Sequence, residues 1–311
     1  MADTAPRSPL DYVPAAGLRW LCVAQPQRIF SDSSLRGLIE RVLDRDRLVA
    51  FTQLTALDLT ALEAAAIAGY DLGTLYVASL AAPDAGAVRA RFQDRLTTGA
   101  IVKHPAPLLY RLSGTRAGEP RTLLSVNDRL FAFASGDATL GRVAEAYAER
   151  RLKSPTALAG ASLASLPSAA SDALGVAYFP GPFTGPWASA LHGVLRDASA
   201  ASVAIRAGAP GTLTLTITLA GEWPEEVAAP AIEAAWTELA TSSTGLLFGL
   251  DQAKNMRIVA HLHHLTWSTD LPTESLVAGL RAATVANVPE MFGEHGEPST
   301  GHPVDGPHHD P

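Results

Sequence analysis

Three histidines, His261, His263 and His264, stand within four residues of one another. Imidazole is the commonest protein ligand for a metal ion, and neutral His binds through either ring nitrogen. If 256–267 is one long strand, side chains alternate with period two, and His261 and His263 share a face. Two imidazoles would then converge on one metal while His264 points away. A catalytic zinc usually takes three protein ligands, and no acidic residue stands at ligand spacing nearby. The competing explanation is a solvent-facing strand surface that tolerates histidine. No metal site is therefore assigned, and His261 and His263 stand as weak candidates. His302, His308 and His309, near the end of the chain, are able to bind metal adventitiously.

A second grouping is the run Pro180-Gly181-Pro182-Phe183-Thr184-Gly185-Pro186-Trp187. Its prolines fix φ and stiffen the loop. Phe183 and Trp187 are residue types that dominate binding hot spots. A loop folded onto its own core is the structural alternative. Downstream, Leu213, Leu215, Ile217 and Leu219 alternate with Thr212, Thr214, Thr216 and Thr218. That pattern predicts a half-buried antiparallel strand with a hydroxyl-bearing face. Phe183, Trp187, Thr214 and Thr216 are thus the candidate binding residues, and no catalytic residue is assigned. The phosphate loop Gly-x4-Gly-Lys-Ser/Thr, the dinucleotide loop Gly-x-Gly-x-x-Gly and the hydrolase elbow Gly-x-Ser-x-Gly are all absent. Gly160-Ala161-Ser162-Leu163-Ala164 approaches the elbow, but no strand precedes it to present the serine.

The elements that must position these residues come from a chain of 311 residues, 47% hydrophobic and 18% charged, with a net charge of -7. This composition suits a folded core and argues against nucleic-acid binding, which calls for a basic patch. The densest basic run, Arg150-Arg151-Lys153, falls at a helix end, where cations complement the dipole. Cys22 is the single cysteine, so no internal disulfide or thiolate metal site forms, and its strand context predicts a buried thiol. No cofactor is expected. No uncharged apolar run reaches the length of a membrane span. Residues 1–8 lack the features of a signal peptide.

Hydrophobic periodicity predicts strands at 18–24, 75–80, 108–112, 122–126, 130–134, 174–179, 202–206, 212–220 and 256–267. It predicts helices at 35–44, 61–69, 84–96, 139–153, 186–195, 224–240 and 272–288. The two halves then share an order of elements. The expected fold is α+β, two similar modules of mainly antiparallel sheet with amphipathic helices on one face. Residues 1–11 are a flexible start, 12–153 the first module, 154–172 a connector, 173–292 the second module, and 293–311 a disordered tail rich in His, Pro and Gly.

The opening Tyr12-Val13-Pro14-Ala15-Ala16-Gly17, the strand after it, Leu57-Asp58-Leu59, the strand 75–80 and the hairpin 123–134 together resemble a family of bacterial cell-envelope lipoproteins, the DUF3352-like proteins. The resemblance lies mainly in residues 12–150. Ala16 stands where the family pattern has an acid, and the residues before Cys22 form no lipidation motif. The resemblance implies a non-enzymatic envelope protein, periplasmic or associated with the outer membrane, with any export signal and lipid anchor upstream of Met1. Such a protein would bind a protein partner or a small apolar ligand. A metal-dependent or other hydrolase, and a cytosolic scaffold or assembly subunit, are the other readings.

Overall fold

The computed structural model describes residues 8–42, 45–80, 85–126, 128–153, 173–223, 225–261 and 263–283. The connector expected at 154–172 and the tail expected at 293–311 lie outside the described residues.

The first half runs β1 (Leu18–Ala24), α1 (Pro26–Ser31), α2 (Ser33–Val42), α3 (Arg45–Thr55), β2 (Leu62–Tyr70), β3 (Gly73–Leu80), α4 (Ala85–Asp94), β4 (Ile101–Ala106), β5 (Leu109–Arg116), β6 (Glu119–Val126), β7 (Leu130–Gly136) and α5 (Ala138–Lys153). The second half runs β8 (Ala173–Pro180), α6 (Pro186–Ser189), β9 (Ala198–Ala207), β10 (Thr212–Gly221), α7 (Glu225–Thr241), α8 (Ser243–Leu247), β11 (Lys254–His261), β12 (His264–Pro272) and α9 (Thr273–Ala283).

The fold is α+β. All the strands form one twelve-stranded sheet in the order β11-β12-β10-β9-β8-β1-β2-β3-β7-β6-β5-β4. Every pairing is antiparallel. The halves meet where β1 pairs with β8, in the register Leu21↔Tyr178 to Ala24↔Gly175. Outward from that joint each half lays down its strands in the same order: first, second and third strand, then its last strand (β7 or β12), with the strand that follows the helix (β4 or β11) at the outer edge.

Register separates two faces, because paired residues project to the same side. On the front face, α3 and α4 cover the first half through Phe51, Val88 and Phe92, packed on Leu112, Leu123, Phe131 and Phe133. In the second half Val194, Leu195 and Ile232 pack on Leu219, Leu265 and Trp267 of the same face. Near the middle, Leu35 of α2 and Leu276 of α9 meet Leu174, Ile205 and Leu213. On the back face, α5 lays Leu140, Ala144 and Ala148 over Leu124, Leu130, Ala132 and Ala134 of the first half. Residues 9–11, read as part of a flexible start, form with Tyr12 a 3-10 turn, and Tyr12 is buried in that same back-face core.

Several elements differ from the sequence expectation. Residues 62–70 are a strand, where a helix was expected at 61–69. Their neighbours β1 and β3 satisfy the backbone on both sides, and small side chains suit a central strand covered on both faces. The Thr60 N–H is donated to Asp58 Oδ1 at 2.9 Å, capping a 3-10 turn at Leu59–Ala61 that leads straight into the strand. The helix expected at 186–195 breaks after Ser189, because Leu191, His192 and Gly193 all have positive φ. The long strand expected at 256–267 is a hairpin of β11 and β12. Cys22 is solvent-exposed instead of buried, since the front-face cores are centred on the two halves and include no β1 residue.

Candidate binding face

The hairpin rearranges the histidines. His261 and His264 pair across it, and His263 sits in the turn between them. His261 and His263 therefore do not share a strand face. The rings of His261 and His264 are 5.9 Å apart between centroids, inclined at 60°. His263 Nδ1 lies 3.4 Å from Glu222 Oε1. Among the described residues, no group of three or more His, Cys, Asp or Glu side chains is placed to hold a metal ion.

Thr214 and Thr216 lie on the back face of the second half. The register carries that face from Val176 and Tyr178 on β8 through Ser202, Ala204 and Arg206 on β9 to Thr214, Thr216 and Thr218 on β10. It continues through Thr266, Ser268 and Asp270 on β12 to Val259 and Arg257 on β11. Where the first half presents leucine and alanine to α5, the second presents hydroxyls, a guanidinium and a carboxylate. No described helix contributes to a hydrophobic core there. The inner part, Ala200, Ser202, Ala204, Thr218 and Ala220, is buried, with Tyr178 packed against its alanines. The outer part, from Thr214 and Thr216 to Ser268 and Asp270, is half-buried, and Arg257 and His261 are exposed.

The polar groups of this face are ordered by one another. Thr214 donates to Asp270 Oδ1 at 2.8 Å and Asn255 Nδ2 donates to Asp270 Oδ2 at 3.0 Å. Arg206 Nη1 donates to Thr216 Oγ1 at 3.1 Å. Thr218 and Thr266 share a hydrogen bond at 3.3 Å. The two donors, Asn255 foremost and then Thr214, hold the Asp270 carboxyl below the usual carboxylate range against an opposing desolvation, with the charge of Arg257 adding to the effect. A carboxylate with a lowered folded pKa contributes stability above its unfolded value, and that contribution is lost as pH falls through the folded one. The stability gap between wild type and Asp270→Asn should accordingly be constant at neutral pH and close below about pH 4. Urea titrations at a series of pH values check this, and a gap that does not change with pH would contradict it.

Phe183 is placed elsewhere. It is half-buried in the front-face core with Val194, Leu195 and Leu219. Its loop is tied to β9 by the Gly181 N–H, which donates to the Ser199 carbonyl at 2.9 Å. Trp187 stands in α6, and its side chain lies outside the described residues. The loop and the threonines are thus not brought together: Phe183 packs on one side of the sheet and Thr214 and Thr216 project from the other. Asp270, Asn255 and Arg206 were not singled out in the sequence. A signal for Asp270 was available, because His264, Thr266, Ser268 and Asp270 alternate with Leu265, Trp267 and Leu271 in the same period as β10.

No protein-family model and no curated protein matches the chain. Among solved structures it is similar to crystal form III of TP0453, with a TM-score of 0.51 and 11% identity over 88% of this chain and 98% of that one. Crystal form I gives a TM-score of 0.47 at 11% identity, over 89% and 98% of the two chains. Crystal form IV gives 0.48 at 10% identity, over 89% and 97%. The likeness to form III is one of fold, and its coverage takes in both halves of the sheet. Among the described residues no helix is long and apolar enough to cross a membrane.

Proposed function

We propose that the chain is a non-enzymatic cell-envelope protein that holds a protein partner on the polar back face of its second half. The observation that carries this reading is the contrast between the two halves of one sheet. The back face of the first half is apolar and sealed by α5. The same face of the second half is lined by Thr214, Thr216, Ser268, Asp270 and Arg206, with Thr214 hydrogen-bonded to Asp270 and Arg206 to Thr216. Pre-ordered polar groups on a rigid sheet lower the entropic cost of association. Small apolar ligands favour concave, largely apolar pockets, so an extended hydroxyl-bearing surface suits a protein partner better. The envelope assignment rests on the resemblance of residues 12–150 to the DUF3352-like lipoproteins.

A photo-crosslinking residue at Ser268, on the back face, should trap a single defined partner in intact cells. The same residue at Thr237, exposed on α7 of the front face, should trap none. Adding Arg206→Glu should abolish the Ser268 product, because charge reversal at a recognition surface disfavours the native partner. Circular dichroism and the thermal midpoint of the Arg206→Glu variant separate loss of the surface from loss of the fold. Equal products at both positions, or a Ser268 product indifferent to residue 206, would overturn the proposal.

A further inference from the structure

We infer that the β11–β12 hairpin carries a two-histidine site, His261 with His264, for a divalent cation of the zinc and copper class. Direct cross-strand neighbours in an antiparallel pair bring their Cβ atoms within about 5 Å, close enough for two imidazoles to reach one ion. Zinc binds imidazole nitrogen at about 2.0–2.1 Å, so two rings on one ion have centroids roughly 5–6 Å apart. The 5.9 Å between the His261 and His264 rings falls in that range. His261 is exposed, which leaves the ion a path from solvent.

A second observation points to a missing ligand. The Nδ1 atom of His264 is shielded from solvent and has no hydrogen-bond partner. A buried polar atom without a partner calls for an explanation, and an unoccupied ion position is one of them. Neutral imidazole prefers zinc, copper and nickel to magnesium or calcium, which take oxygen donors. With two protein ligands, water completes the coordination. The Glu222 carboxylate, which lies beside His263 of the turn, places negative charge at the same end of the sheet. His263 is assigned no ligand role, because its Nδ1 stands 3.4 Å from Glu222 Oε1.

The test uses the full chain with the four histidines of the tail, His295, His302, His308 and His309, replaced by alanine, so that adventitious binding there is removed. Calorimetric titration with zinc chloride should show one ion per chain, and magnesium chloride should give no heat. His261→Ala and His264→Ala should each weaken zinc binding by about tenfold or more, the scale on which loss of a metal-site group acts. His263→Ala should leave it within about twofold. Circular dichroism of each variant separates loss of the site from loss of the fold. As a readout independent of affinity, zinc should shift the imidazole NMR signals of residues 261 and 264 and not those of His104 or His192. Absence of zinc binding in the background chain, equal binding after removal of both His261 and His264, or equal loss with His263→Ala would each overturn the inference.

Discussion

Replacing Asp11 with alanine is expected to lower the stability of the protein by about 3 kcal/mol, the cost of stripping a buried charge of its partner. Arg151 reaches from the last turn of α5 to the turn at residues 9–12. Its side chain is only 4% exposed, against 25% for Asp11. Nη2 of Arg151 pairs with the Asp11 carboxylate, and Nε donates to the Asp11 carbonyl at 2.9 Å. Without the carboxylate, a guanidinium that cannot lose its proton stays buried with one carbonyl to answer it. The turn would loosen as well, and with it Tyr12, 2% exposed in the back-face core. Asp11→Asn keeps an acceptor and should lose less. Pairing Asp11→Ala with Arg151→Met should recover most of the loss, since an apolar side chain of similar length carries no charge to desolvate. Urea unfolding of the three variants decides it. An Asp11→Ala loss below about 1 kcal/mol, the scale of an exposed ion pair, would show that the guanidinium is hydrated in the folded protein.

Arg151 also shows what the sequence could and could not reveal. Its place in the run Arg150-Arg151-Lys153 read as cations at a helix end, and helical position was the correct part of that reading. Burial was invisible, because the partner lies 140 residues away. The same division holds across the fold. The strand 212–220 was legible because alternation of threonine and leucine is a local record of one polar and one apolar face. Residues 62–70 were not, because alanine forms either element and the choice is made by β1 and β3 on either side. The hairpin between β11 and β12 was hidden because no Gly or Pro marks its turn, and the one local sign was the shift of apolar positions from even (Met256, Ile258, Ala260) to odd (Leu265, Trp267, Leu271). That one missed turn decided which histidines face each other. In the candidate binding face, the threonines were readable from period two, whereas the ordering of Asp270 by Asn255 depends on a register across β11 and β12 that no local pattern encodes.

The joint between β1 and β8 offers the other large effect. The register there spans four residue pairs, Leu21↔Tyr178 to Ala24↔Gly175, with one further backbone bond from the Gln25 N–H to the Leu174 carbonyl at 3.1 Å. Ala177 stands inside it, opposite Cys22 on one side and Val203 on the other. Proline at position 177 would remove a ladder N–H from a strand with neighbours on both sides, a place where proline is essentially not found. The carbonyl left unmet costs about 1–3 kcal/mol, and the clash of the ring with the ladder adds to it. The main cores of the two halves are separate, the ones under α5 and α4 in the first and the one under α7 in the second, and the smaller cluster of Leu35 with Leu174 and Leu213 is shared. We therefore expect Ala177→Pro to dissect the protein along the proposed module boundary. Amide exchange should quicken through β8, β9 and β10, while β3, β6 and β7 keep their protection. Thermal unfolding should separate into two transitions, and crosslinking from Ser268 should disappear with the first. Uniform loss of protection in β3 and β10 alike would mean that the twelve strands unfold as one cooperative unit and that the modules share topology without sharing independence.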